Sequence, residues 1–255
     1  IDACVVVGAT QGAGDARNRG AAVANGDIVL FLDDDVLPFD DRVVARHVAA
    51  RASGHQVAVG PVVGAVASGS EAGLSLSERS WWSDQATRIA RGNALDFTDV
   101  CTGNLSIDRA LLRSLGGFVP LARREDFELG IRVIEGGHTV VGLSDASVWR
   151  VEMCTLEGAL ERRFKEGQAD CHLSELHPTS MLRLGLGSWS DLGRLRRVVR
   201  VALDHPRAMQ TVLGCVAPIG RLLDRAGSRR RLHRFHDIVG RLAYWSGVGA
   251  EVGGS

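Results

Sequence analysis

The sequence predicts an α/β fold, a sheet flanked by helices and followed by a C-terminal helical region, on three observations. Short apolar runs bounded by turn residues alternate with helical stretches, the pattern of layered strands and helices rather than of a bundle. The run Ile28-Val29-Leu30-Phe31-Leu32 is continuous and stops at Asp33-Asp34-Asp35, as a strand buried on both faces would. After His177-Pro178 the texture changes to amphipathic stretches with one arginine-rich side. The 255 residues, 45% hydrophobic and 24% charged, are enough for one large globular domain or for one domain with an appendage.

In chain order, Ala3 to Val7 reads as a strand and Gly8 to Gly14 as a glycine-rich loop. Asp15 caps a helix over 16–25 that Gly26 ends. The strand over 28–32 follows, then a helix over 40–52 closed by Gly54. Residues 57–66 are β-branched and apolar with Gly60-Pro61 inside, a strand with a kink. Residues 74–90 read as a helix whose adjacent Trp81 and Trp82 must face different sides, one in the core and one half-buried or stacked on a sugar. Residues 100–107 are strand-like, Asp108 caps a short helix over 109–115, and Gly116-Gly117-Phe118 ends it. A helix over 127–135 stops at Gly136-Gly137. Strands over 139–143 and 146–151 precede a helix over 156–166, capped by Thr155 and closed by Gly167. The change near Leu184 to Ser190 sets two expected domains, residues 1–183 and 184–255.

Net charge is zero but unevenly placed. From Arg194 to Arg241, twelve arginines stand against Asp204, Asp224 and Asp237, leaving +9 there and −9 elsewhere. The five cysteines are odd in number and no pair has Cys-x-x-Cys spacing, which supports neither a zinc site nor a disulfide framework and points to a reducing compartment. No run of eighteen apolar residues suggests a spanning helix, and no signal peptide is legible. A cytoplasmic location, with contact at the inner face of the cell membrane, is the expectation.

Three carboxylates beyond the carboxyl end of a sheet strand stand where α/β folds bind ligands, and their mutual repulsion calls for a cation. Mg²⁺ or Mn²⁺ carrying phosphate oxygens would answer it. A solvated turn leading to a helix that opens with Asp40-Asp41 is the plainer reading of the same residues.

Taken together, three ordered blocks are specific. They are Ala16-Arg17-Asn18-Arg19-Gly20, then Phe31-Leu32-Asp33-Asp34-Asp35, then Gly103-Asn104-Leu105-Ser106 with Gly116-Gly117-Phe118 and Arg124-Glu125-Asp126-Phe127-Glu128-Leu129-Gly130. The set resembles inverting family 2 glycosyltransferases of the GT-A fold, over about Cys4 to Gly167. The resemblance implies that Asp33 and Asp35 hold a metal ion and a nucleotide-diphospho-sugar, with Asp35 the direct metal ligand. It places Arg17 near the nucleotide, Gly103 and Asn104 along the sugar and acceptor pocket, and Asp126 as catalytic base beside Glu125. It implies a carbohydrate or lipid-linked acceptor and a part in cell-envelope polysaccharide or glycolipid assembly.

The chemistry is coherent with those residue types. Transfer from a nucleoside diphosphate needs the leaving pyrophosphate's charge offset, and an attacking hydroxyl needs a carboxylate within hydrogen-bond reach. Glu125-Asp126 also fits ordinary first-turn acids at a helix N-terminus.

Three departures from the family stand out. Relatives carry an opening strand well before the Arg-Asn block, so the resemblance implies that one or two sheet strands are missing here. A histidine that relatives place at a later strand's end is replaced by Val148-Trp149-Arg150-Val151, with Arg150 an alternative source of charge toward phosphate. The Gln-x-x-Arg-Trp motif of processive members is replaced by Leu160-Glu161-Arg162-Arg163-Phe164, which favours single transfer. Arg163 is an expected pyrophosphate contact or else a helix-surface residue.

The tail fits an interfacial membrane role, with Val212, Leu213, Ile219, Leu222 and Leu223 apolar, Arg229 to Arg231 basic, and Tyr244-Trp245 at headgroup depth. A packed helical appendage is the plainer reading. Nucleic acid is not expected as a partner, because the basic helices carry almost no aromatics for base stacking. Two other functions remain open. One is a non-catalytic, transferase-like binding module; the other is a nucleotidyltransferase, which would want a lysine in the Gly8–Gly14 loop that is absent.

Overall fold

The computed structural model describes residues 5–8, 12–64, 75–151, 155–225 and 229–253. The chain divides into two compact units, one of residues 1–64 and 82–151 and the other of residues 65–81 and 152–255.

The first unit contains α1 (Ala13–Val23), β1 (Ile28–Leu32), β2 (Val36–Pro38), α2 (Val43–Ala52), β3 (Val57–Val59) and β4 (Val62–Gly64). It continues from α3 (Ser75–Ala90), which the division between the units cuts at Trp82, into β5 (Asn104–Asp108), α4 (Arg109–Ser114), α5 (Glu125–Glu135), β6 (Val140–Gly142) and β7 (Val148–Arg150). Four strands form one sheet in the order β1-β5-β3-β6, with β3 and β6 parallel and the other pairs antiparallel. A second sheet has the order β2-β7-β4.

Sheet position explains burial. β5 lies between β1 and β3 and is buried at all five positions, whereas among the described residues β1 pairs only with β5 and buries only Val29 and Phe31. The expectation of a doubly buried strand over 28–32 is therefore corrected to an edge strand buried on one face. Its buried residues join Leu105, Ile107, Leu112, Phe118, Leu129 and Val133 in the core. Residues 57–66 do kink at Gly60-Pro61, and the kink passes the chain from the first sheet to the second. A β-carbon on Gly60 would overlap the Ala146 carbonyl and the Asn104 amide, so that crossing needs glycine. Residues 65 and 66 of that run lie outside the described residues, as do Ala3 and Cys4. Val5 to Val7 are not in a strand, and Val5 is 88% exposed, against the expected strand there.

The second unit holds α6 (Leu156–Leu176), two 3₁₀ segments (Pro178–Arg183 and Gly185–Leu195), α7 (Arg196–Asp204), α8 (Pro206–Gly214), α9 (Ala217–Arg225) and α10 (Arg229–Val252). Gly167 does not end α6 as expected. It is where α10 crosses, and a β-carbon there would collide with the Tyr244 carbonyl, as one on Gly247 would with the Phe164 carbonyl. Leu156 and Leu160 of α6 share a core with Leu213, Val239 and Ala243, so the boundary expected at 184 falls inside this unit. Tyr244 and Trp245 are buried rather than placed for lipid headgroups. The Tyr244 hydroxyl donates to Asp170 Oδ2 at 2.7 Å, and Trp245 meets Trp189 edge to face at 5.0 Å.

Candidate active site

The first unit gathers the ordered sequence blocks into one place. Asn18 on α1 donates through Nδ2 to the Phe118 carbonyl and accepts from the Phe118 N–H, both at 2.8 Å. These bonds fasten the Arg-Asn block to the Gly116-Gly117-Phe118 turn. Gly14 allows the approach, since a β-carbon there would lie 2.9 Å from the Val119 carbonyl. Arg132 on α5 holds the same turn by donating to the Leu115 carbonyl and, at 2.7 Å, to that of Gly117. Arg17, the residue before Asn18 on α1, faces the acids.

Arg17, of the first block, joins it to the other two. Its guanidinium donates to Asp33 Oδ1 at 3.0 Å and to Glu125 Oε1, and it lies 5.9 Å from the centre of the Phe118 ring. Burial works against its charge, but Glu125 and then Asp33 outweigh that and hold its pKa above the ordinary value. Asp33 follows β1 directly, and a β-carbon on Gly103 would lie 3.3 Å from its Oδ2, so Gly103 borders the carboxylate.

Asp126 is in the first turn of α5, entered through Arg124 in a left-handed conformation (φ 68°) that costs a non-glycine residue about 1–3 kcal/mol. Half-buried, Asp126 accepts a hydrogen bond only from the Phe127 N–H, at 2.9 Å, and forms no ion pair among the described residues. Burial first and the Glu125 charge second push its carboxyl up to about 6, against the opposing pull of Arg124 and Arg17. Glu125 is spent on Arg17; Asp126 is the acid left available.

Arg150, the last residue of β7, is the second cation here. Its Nε donates to Asp35 Oδ2 at 3.0 Å, its Nη1 is 4.0 Å from Asp33 Oδ2, and its guanidinium lies 5.6 Å from the centre of the buried Trp82 ring. Trp82 is thus the inward tryptophan, and Trp81 is half-buried. Asp35 Oδ1 is buried and has no hydrogen-bond partner among the described residues. An orphaned carboxylate oxygen beside a second aspartate fits a hard cation. No three His, Cys, Asp or Glu side chains converge on a metal position among the described residues, so such an ion would share its ligands with phosphate oxygens.

Asn104 is placed differently from what a pocket-lining residue requires. It is fully buried, donates to the Ala146 carbonyl at 2.6 Å and lies 2.9 Å from His47 Nε2, while His47 Nδ1 is 2.7 Å from Ser106 Oγ. Its amide ties β5 to the loop before β7, which carries Arg150. His47 is the buried neighbour of Asn104 that motif reading missed. A signal existed, because Val43, His47 and Ala50 mark one helical face and all three are buried. Burial lowers the His47 pKa, with the Asn104 hydrogen bond opposing it. Cys101, also buried, has its thiol pushed far up by burial and the nearby Asp126 charge, which excludes it as a nucleophile at neutral pH.

Arg163 lies on α6 in the second unit, where Nη1 is paired with Glu166 at 3.0 Å. A separate cavity of about 370 Å³ between α1 and α4, lined by Ala21, Ala22, Arg109, Leu112 and Arg113 among others, contains none of the carboxylates.

The arrangement is an acidic cluster held by two arginines, with Asp126, in no ion pair among the described residues, raised toward neutral pH. Residues 2–116 match the family model described as Glycosyl transferase family 2, and the mixed sheets flanked by helices accord with that family's α/β GT-A fold. Comparison with curated proteins gave no match.

Proposed function

From the match of residues 2–116 to the Glycosyl transferase family 2 model, we propose that the protein moves a sugar from a nucleotide-diphospho-sugar to an acceptor hydroxyl in one displacement, inverting the anomeric carbon. The observation that carries this reading is Asp126, an unpaired carboxylate with a pKa of about 6 on the same helix turn as the Glu125 that anchors Arg17. Its ionised oxygen takes the acceptor's proton as the hydroxyl attacks, with a basicity matched to neutral pH. Glu125 contributes indirectly, by fixing Arg17 and by raising its neighbour's pKa.

Arg17 sets positive charge beside Asp33, where the diphosphate is held. Asp35, through its unpartnered Oδ1, and Asp33 would hold Mg²⁺ or Mn²⁺. That ion supplies Lewis-acid stabilisation of the departing diphosphate. Gly103 leaves space next to Asp33 that a side chain would fill. Asn104 acts from the scaffold, keeping the strand ends that carry the site in register. The replaced Gln-x-x-Arg-Trp motif favours single transfer.

The acceptor is a carbohydrate or lipid-linked hydroxyl. A lipid-linked acceptor is favoured by the surface of the second unit, where Val212, Ile219 and Leu222 are exposed at 55%, 48% and 67% beside exposed Arg221 and Arg225. Apolar residues flanked by arginines suit the interface of an anionic bilayer. No helix among the described residues is long and apolar enough to cross a membrane.

The reading is tested by offering UDP-, GDP- and dTDP-sugars with Mn²⁺ or Mg²⁺ to the protein and to its Asp35→Ala and Asp126→Asn variants. Transfer or hydrolysis by the parent that falls in both variants supports it. Undiminished activity in Asp126→Asn removes Asp126 as the base.

A further inference from the structure

Arg150 is held against the aspartates by backbone pairing rather than by the reach of a long side chain alone. It is opposite Val36 in the β2–β7 ladder, and the next residue's N–H, that of Val151, donates to the Asp35 carbonyl at 2.8 Å. Its guanidinium then has Asp35 Oδ2 at 3.0 Å, Asp33 Oδ2 at 4.0 Å and the Trp82 ring beside it. A monovalent cation therefore stands on the same two carboxylates that a divalent ion would use, while Asp35 Oδ1 remains without a partner.

We propose that Arg150 gates this carboxylate pair. Without nucleotide it is the resident counter-ion of Asp35 and Asp33, and its charge opposes a divalent ion that approaches alone. A nucleoside diphosphate offers the guanidinium a better partner, because a fork of N–H donors matches phosphate oxygens. As Arg150 turns to the phosphate, Asp35 and Asp33 are released to the ion, so ion and nucleotide bind as a pair. Trp82 supports both positions of the planar guanidinium, which slides over an aromatic face more readily than it leaves one. The inference rests on the sugar-transfer reading for its second half, whereas the competition between Arg150 and the ion stands on the geometry alone.

The test is a binding measurement on the whole protein, with Arg150→Met and Arg150→Lys variants whose folding is verified by thermal melting. Mn²⁺ binding is followed by the electron paramagnetic resonance signal of the free ion, without nucleotide. Binding of UDP, GDP and dTDP is followed by calorimetry with Mn²⁺ present. The Met variant, lacking the charge, should bind Mn²⁺ alone about tenfold more tightly and the preferred diphosphate about tenfold more weakly. The Lys variant should bind Mn²⁺ as weakly as the parent and lose several-fold in diphosphate affinity, because it keeps the charge and loses the fork. If Arg150→Met does not fold, the Lys variant alone decides, and unchanged diphosphate affinity in it overturns the proposal. Mn²⁺ affinity that is unchanged or lower in a folded Met variant overturns the competition. If the parent binds none of the three diphosphates, the sugar-transfer reading fails separately, and the nucleotide-free Mn²⁺ titration still settles whether Arg150 opposes the ion.

Discussion

Asp126 and His47 are two buried or half-buried groups whose titrations pull stability in opposite directions. The Asp126 pKa is raised to about 6 in the fold, above its unfolded value, so the folded state binds the proton more tightly. Its cost to stability is absent below about pH 4 and grows as pH rises through 6. Asp126→Asn should therefore raise stability at pH 7.5, by about 1 kcal/mol after allowance for partial exposure, while lowering transfer about 10²–10⁴-fold. Chemical denaturation and initial rates on the same preparation check both halves, and a destabilised, active variant would contradict them. Transfer by the parent should climb with pH through about 6 as the base ionises. His47 has the opposite sign: its pKa is lowered by burial, so its contribution is complete above about pH 6.5 and is lost as pH falls. The stability gap between the parent and His47→Gln should narrow from pH 7.5 to pH 5, measured by urea unfolding. Asp126 and Arg17 were legible in the sequence because their blocks are local in sequence. The chain Ser106–His47–Asn104–Ala146 was not, because it joins residues from three separate segments, β5, α2 and the loop before β7.

At the scale of elements, the sequence was read well where a helix ended in solvent and less well where two helices meet. Gly136 and Gly137 follow α5 as glycines at an exposed helix end do, and Gly137 has a positive φ of 79°. Gly167 carries the same sequence signal, yet it serves close packing of α6 and α10, which no local pattern reports. Gly167→Ala or Gly247→Ala should each lower stability by about 1–3 kcal/mol through forced separation of the two helices. Gly240→Ala, in α10 with open space around it, should be neutral or mildly stabilising. Thermal melting of the three variants distinguishes crossing from capping, since a cap role predicts little loss at Gly247. The short β2, β4 and β7 were only partly foreseen for a related reason: three-residue strands carry too few residues to show alternation, and their pairing is set by tertiary context.

Over the whole molecule, the charge asymmetry read from composition becomes a testable surface. Binding to vesicles containing phosphatidylglycerol should exceed binding to neutral phosphatidylcholine vesicles, weaken at high salt, and fall in an Ile219→Asp/Leu222→Asp double variant. Equal sedimentation with both vesicle types would remove the membrane contact and leave α9 as a packed appendage. The α/β class was legible from alternating apolar runs; the division of the chain was not, because α6 shares its texture with the first unit and its core with the second. The central claim is that the acids and arginines around Asp126 form a sugar-transfer site. Release of nucleoside diphosphate from a panel of UDP-, GDP- and dTDP-sugars with Mn²⁺, compared between the parent and Asp126→Asn, tests it most directly. The account predicts release from at least one donor by the parent and a loss of about a hundredfold or more in the variant. Equal release by the two proteins would contradict it.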